Sequence, residues 1–178
     1  MNKKKLVTEM GRIDRDAFAQ SQKLPLVVVL DNVRSLHNAG SVFRTSDAFR
    51  VECIMLCGIT ATPPSAEIHK TALGAEDVVD WKYYESTMDA VAELRSQGYR
   101  IYSIELCQGS IALQDFVTAP GERYAVVLGN EVKGVQQDVV DASDGAIEIP
   151  QFGTKHSLNV SVTAGMVIWE FAKKLGLV

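Results

Sequence analysis

Six short apolar runs decide what this chain can become: Leu24–Leu30, Glu52–Cys57, Val78–Tyr83, Tyr99–Leu106, Tyr124–Leu128 and Ala146–Ile149. Leu24–Leu30, Tyr124–Leu128 and the Cys53–Cys57 part of the second are unbroken apolar stretches, and the other three carry one to three polar residues each. A run of that length reads as a strand, and a strand apolar on both faces must be covered on both. Helical patterns fall between the runs. One begins at about Asn38 or Ala39 and reaches Phe49, and a short one lies near Ala66–Thr71. Another opens at Ser86, with Asp89 three residues on, and stops at Gly98; a fourth spans Val135–Ala142. Ser-x-x-acid is a helix-opening pattern and Gly a common stop. Strands and helices in alternation predict an α/β domain, a mostly parallel sheet covered by helices on both faces. Residues 25–178 form that single domain. Residues 1–24 precede it as a short extension with a weak helical pattern (Leu6, Met10, Ile13, Ala17).

The C-terminal segment is unlike the rest. The last strand stops at Pro150, a polar loop interrupted by Gly153 follows, and a long helix begins near Ser157. Leu158, Val160, Val162, Ala164, Met166, Val167, Ile168, Trp169 and Phe171 leave that helix apolar on nearly every side. A helix apolar all round is buried all round. In a chain of 178 residues this requires a central position or a second subunit. Strand, polar loop and helix N-terminus also form a favourable ligand site, because first-turn N–H groups lack intrahelical partners.

Composition narrows the class. Hydrophobic residues make up 47% and charged residues 22%, the balance of a soluble globular domain. No apolar run approaches the ~20 residues of a membrane span. The basic N-terminus is not followed by a secretory apolar stretch, so the expected compartment is the cytoplasm. Cys53, Cys57 and Cys107 lie on strand-like stretches without zinc spacing, which predicts reduced thiols and no metal. The net charge of −4 hides a split. Residues 1–50 hold nine Lys/Arg against five Asp/Glu, and residues 51–178 hold nine against seventeen. A basic first third on an acidic body is consistent with a local nucleic-acid footprint.

The common nucleotide and hydrolase signatures are absent: no Gly-x-Gly-x-x-Gly after the first strand, no Walker loop and no Gly-x-Ser-x-Gly. What remains is polar clusters at strand C-ends, where open α/β sheets bind ligands. Arg34, His37, Asn38, Ser41 and Arg44 follow the first strand. Leu128-Gly-Asn-Glu-Val-Lys-Gly134 follows the fifth, and Gln151–Asn159 follows the sixth. Singly, each has an ordinary explanation: Asn38 as a helix cap, Glu131 as a solvated loop acid, Gly134 as a turn residue.

Together they resemble a known family. Asn38-Ala-Gly-Ser-Val-Phe-Arg44-Thr-Ser-Asp-Ala-Phe, Leu128-Gly-Asn-Glu131-Val-Lys-Gly134 and Ile149-Pro-Gln-Phe-Gly-x-x-x-Ser157-Leu-Asn159-Val-Ser-Val-x-Ala-Gly are similar to the three motifs of the SpoU/TrmH branch of the SPOUT RNA methyltransferases. Lys70-Thr-Ala-Leu-Gly-Ala75 is similar to a further segment of that branch. The likeness covers roughly residues 25–173, in order and with the family's spacing. It implies a deep C-terminal trefoil knot, S-adenosylmethionine (SAM) bound there without a metal, a homodimer, and methyl transfer to a ribose 2′-hydroxyl of tRNA or rRNA. The alternative is a non-catalytic RNA- or SAM-binding module on the same fold. The implied cofactor residues are Leu106, Gly109, Leu128, Gly129, Asn130, Glu131, Gly134, Ile149, Gln151, Phe152, Ser157, Leu158 and Asn159. The implied catalytic residues are Arg44, Asn38, Glu131, Ser157 and Asn159. The last helix becomes a dimer element, with Ser161, Ala164 and Gly165 allowing close approach and Trp169 and Phe171 supplying buried area.

Overall fold

The structure is a computed structural model that describes residues 2–178. Its centre is a seven-stranded sheet in which every pair is parallel. The strands are β1 (Leu24–Asp31), β2 (Val51–Cys57), β3 (Trp81–Tyr84), β4 (Tyr99–Ile104), β5 (Ile111–Ala112), β6 (Arg123–Leu128) and β7 (Gly145–Glu148). Their spatial order is β3-β2-β1-β6-β4-β7-β5. The six expected strands are present. β5 is additional, and its two residues are too few to carry a pattern. The helices are α1 (Arg15–Gln20), α2 (Leu36–Ala48), α3 (Ala66–Ala72), α4 (Thr87–Ser96), α5 (Gln137–Ala142) and α6 (Val160–Lys174).

The sheet is apolar on both faces because both are covered. In β1, Leu24, Leu26, Val28 and Leu30 point into a core shared with α2, α3 and α6. Val27 and Val29 point into a second core shared with α4 and α5. Each such side chain contributes about 1.5–3 kcal/mol of burial, so neither face could be left open. α2 lies against α3 through Gly40, where a methyl group would collide with Thr71 Oγ1 and the Ile68 carbonyl.

Several boundaries differ from the pattern reading. α2 starts at Leu36 and is capped by Ser35, whose hydroxyl accepts from the Asn38 N–H. Asn38 therefore lies inside the first turn and its side chain is free for other work. α6 starts at Val160 rather than near Ser157, because Asn159 turns back to accept from the N–H groups of Ser161 and Val162. In the extension, Leu6, Met10 and Ile13 are exposed, and Phe18 on α1 is the residue that enters the core.

α6 is two-sided, not uniformly buried. Ala164, Val167, Ile168, Phe171 and Ala172 are sealed in the chain's own core, Phe171 against Phe116 and Tyr124. Val162, Met166 and Trp169 form the opposite stripe and are nearly half exposed. Ala164 and Phe171 thus cannot belong to a surface between subunits, which corrects the expectation for them. No helix of the described residues is long and apolar enough to cross a membrane.

One feature of the order positions the site. β7 lies between β4 and β5, which are consecutive in the chain. The 149–159 segment leaves the sheet from a strand that lies between the two ends of the 105–110 connection, and leads into α6.

Candidate active site

The C-terminal ends of β4, β6 and β7 open onto a cleft of about 460 Å³. Its walls are three loops: the one after β4, the one from Leu128 to Val135, and the one from Glu148 to Leu158. Of the residues expected at a ligand, Leu106, Leu128, Gly129, Asn130, Glu131, Gly134, Ile149, Gln151, Ser157 and Leu158 line it. Gly109, Phe152, Asn159, Asn38 and Arg44 do not. Gly109 is a left-handed turn residue in the β4–β5 connection. The Phe152 ring is 97% exposed.

The middle loop is held from many directions. Asn130 Nδ2 donates to the Asn32 carbonyl at 2.7 Å, and its Oδ1 accepts from the N–H groups of Val132 and Lys133. Asn130 and Gly134 exchange backbone hydrogen bonds. Gly129 and Gly134 are required here. A methyl group on Gly129 would strike the Gly134 backbone, and Gly134 adopts φ 70°, with Glu105 where its Cβ would be. Glu105 accepts from the Val135 N–H at 2.9 Å. The fully buried Asp31 accepts from Gln136 N, Gln136 Nε2, Thr87 Oγ1 and Asn32 Nδ2. Asp31 and Glu105 were not among the expected site residues. Each lies at the C-terminal end of a strand, and groups that donate to it come from distant parts of the chain.

Glu131 leaves this loop to reach the first motif. Its carboxylate accepts from Arg34 N at 2.9 Å, Ser35 N at 3.0 Å and Asn38 Nδ2 at 3.0 Å. Burial pushes its pKa up, but these donors outweigh that and hold it below the usual carboxylate range. Asn38 Oδ1 in turn accepts from Asn159 Nδ2 at 3.2 Å. Glu131, Asn38 and Asn159 thereby join the three motifs, and Asn159 ends the chain of bonds at the N-terminus of α6. Arg44 lies on the exposed side of α2 and makes no ion pair among the described residues. The third loop is different: residues 150–158 make no hydrogen bond to any described residue. The cysteines are unpaired, and burial pushes the Cys57 thiol up to about 12, far from a nucleophile's range.

The model of the SpoU rRNA Methylase family matches residues 25–169. The chain belongs to that family. Similar curated proteins include a tRNA (guanosine(18)-2′-O)-methyltransferase of Aquifex aeolicus, 30% identical over 88% of this chain and 72% of that protein. A 23S rRNA (guanosine-2′-O-)-methyltransferase of Vibrio parahaemolyticus is 29% identical over 96% of this chain and 68% of its own length. Among solved structures, the AdoMet-bound rRNA methyltransferase of Sinorhizobium meliloti superposes with a TM-score of 0.78 at 26% identity. That alignment covers 89% of this chain and 59% of the other. The chain spans 55–72% of the length of eight such curated relatives. The all-parallel sheet with helices on both faces is thus the SpoU-family fold.

Proposed function

We propose that this SpoU-family chain is a SAM-dependent methyltransferase acting on a ribose 2′-hydroxyl of tRNA or rRNA. The observation that carries the reading is the Glu131–Asn38–Asn159 hydrogen-bond chain, which gathers the three motifs around one cleft. The cleft suits the cofactor chemically. Leu106, Leu128, Ile147, Ile149 and Leu158 offer an apolar bed for an adenine and a methionine chain. The backbone of residues 150–158, without partners, offers donors and acceptors for the base edge and the amino-acid end. Lys133 is the only Lys or Arg among the lining residues, too little positive charge for a diphosphate cradle. Glu105, Glu131 and Glu148 place negative charge where a sulfonium would sit favourably. We assign the thirteen residues named above as cofactor-binding to this site, Gly109, Phe152 and Asn159 through the segments that carry them.

When bound, SAM supplies an electrophilic methyl group. A ribose hydroxyl is a weak nucleophile at neutral pH, so alignment and stabilisation of its developing charge carry the reaction. In our reading Arg44 binds the phosphate beside the acceptor ribose and stabilises the 2′-oxygen. Its guanidinium stays protonated, so it is no general base. Asn38, Glu131, Ser157 and Asn159 orient the sugar and hold the loops in register. Residues 25–178 form the methyltransferase domain and 1–24 an extension, tethered by Phe18. The position of β7 between β4 and β5 supports a knot closed by residues 149–159. We further infer a cytoplasmic homodimer built on the Val162–Met166–Trp169 stripe of α6, with Gly165 and Ser161 beside it.

Labelled SAM and total RNA from a strain deleted for the gene test the activity. Methyl groups should appear on a mapped ribose, and Arg44→Lys, which keeps charge but loses the planar fork, should lower the rate about 100-fold. Wild-type rate in Arg44→Lys would overturn its role; SAM binding with no incorporation would overturn the activity. Met166→Arg should sediment as a monomer, and an unchanged dimer would remove the stripe from the interface.

A further inference from the structure

Beside the cleft, sharing the Asn130 and Val132–Val135 wall, lies a larger groove of about 930 Å³. Its other walls come from the loops after β1 and β2: Asn32 and Arg34 from the first, Ile59 from the second. Both loops are stitched together at the backbone. Thr60 Oγ1 accepts from the Val33 N–H at 2.9 Å and donates to the Leu30 carbonyl. Asn32 Oδ1 accepts from the Ile59 N–H at 3.2 Å. Glu131 accepts from the Arg34 N–H, and Asn130 from the Lys133 N–H.

The backbones of Arg34 and Lys133 are therefore fixed, yet their charged ends make no hydrogen bond or ion pair among the described residues. Among the described residues no acid pairs with either cation, and Asp138 is the one acid among the groove's lining residues. Both Glu131 oxygens accept backbone N–H groups, and Asp138 Oδ1 accepts from Val139 N. The same groove is lined by two exposed apolar side chains, Ile59 at 65% and Val132 at 73% exposure. Two free cations in one groove with small apolar surfaces match one nucleotide, phosphate against charge and base against aliphatic carbon, better than a protein epitope, which would need a wider apolar patch.

We propose that this groove holds single-stranded RNA flanking the methylated nucleotide, with Arg34 and Lys133 on its backbone phosphates and a neighbouring base on Ile59 and Val132. The proposal rests on the methyltransferase reading, and it adds a recognition surface separate from Arg44. It also gives Lys133 two neighbours, the cofactor cleft on one side and RNA on the other.

The probe is a fluorescein-labelled oligouridylate, titrated by anisotropy over a range of salt, with SAM affinity measured separately by calorimetry. Arg34→Gln should weaken RNA binding roughly five- to tenfold and shallow the log–log salt slope by about 0.7. Its SAM affinity should stay at the wild-type value. Ile59→Ser, which removes no charge, should weaken RNA without changing the slope. Wild-type RNA affinity and slope in both variants, with methyl transfer intact, would overturn the groove and leave the activity standing. RNA binding lost in Arg34→Gln, from a wild type that methylates no RNA, would support the groove and overturn the activity.

Discussion

The loops 129–136 and 149–158 line one cleft, and the chain holds them in opposite ways. In the first, Asn130, Glu131, Val132, Lys133, Gly134, Val135 and Gln136 all make hydrogen bonds within the loop or to Asp31, Asn32, Arg34, Ser35, Asn38 and Glu105. In the second, residues 151–158 are exposed and residues 150–158 make no hydrogen bond to any described residue. The first loop is mostly half-buried, exposed at Val132, Lys133 and Gln136, and its hydrogen bonds are made within the chain itself, so it is shaped before a ligand arrives. The second lies at the surface, where water can serve its backbone groups. A preformed wall fixes geometry, and an open wall admits the ligand.

The largest effect should come from breaking the finished wall at its anchor. Asp31→Ala leaves the N–H of Gln136 and the hydroxyl of the buried Thr87 without their acceptor. We expect a loss of about 3 kcal/mol, read as a fall in the urea midpoint of roughly 1–2 M. A wild-type midpoint would mean that the loop is held without Asp31.

A matched pair of glycine substitutions comes next. Gly134→Ala forces a side chain into φ 70° and against Glu105, and should cost about 2 kcal/mol. Gly153→Ala meets nothing within 4 Å and should stay within about 0.5 kcal/mol of wild type. Equal losses in the two variants would erase the distinction between the walls.

The open wall can also be watched directly. Amide exchange in residues 150–158 should be fast without ligand and slow severalfold or more with SAM, while residues 129–136 are protected in both conditions. Equal protection of both loops before SAM is added would show that the second wall is also preformed.

How much of this was legible in the sequence varies with the physics involved. The strands were readable because a doubly covered sheet needs unbroken apolar runs. Gly129 and Gly134 were visible as a motif, although their reason, one backbone pressed on another, was not. Asn38 looked like a cap, but the fold caps α2 with Ser35 and leaves the Asn38 side chain free to meet Glu131. α6 was misread in phase. When Ala164, Phe171, Val162 and Trp169 are all apolar, periodicity cannot say which stripe faces the chain's own core. Asp31 gave almost no signal, because an acid after a strand is ordinarily solvated, and its partners lie 56 and 105 residues away. The hydrogen-bond chain through Glu131, Asn38 and Asn159 likewise joins residues 93 and 121 apart, beyond any local pattern.

The smallest expected effect concerns the one charge that joins the finished wall to the first motif. Glu131 is held below its ordinary value of 4.5, so its folded-state pKa lies under the unfolded one. A carboxylate shifted in that direction contributes stability that is fully present above the unfolded pKa and is lost as pH falls through the folded one. Glu131→Gln keeps the shape and removes the charge-assisted bonds to the Arg34 and Ser35 N–H groups. The stability gap between wild type and Glu131→Gln should therefore be constant from neutral pH down to about 5 and should close below about 4.5. The group is only partly buried, so solvent screening keeps the gap small. A gap that widened on acidification would mean that protonated Glu131 is the form the fold prefers, and that the link between the two motifs is not built on a carboxylate.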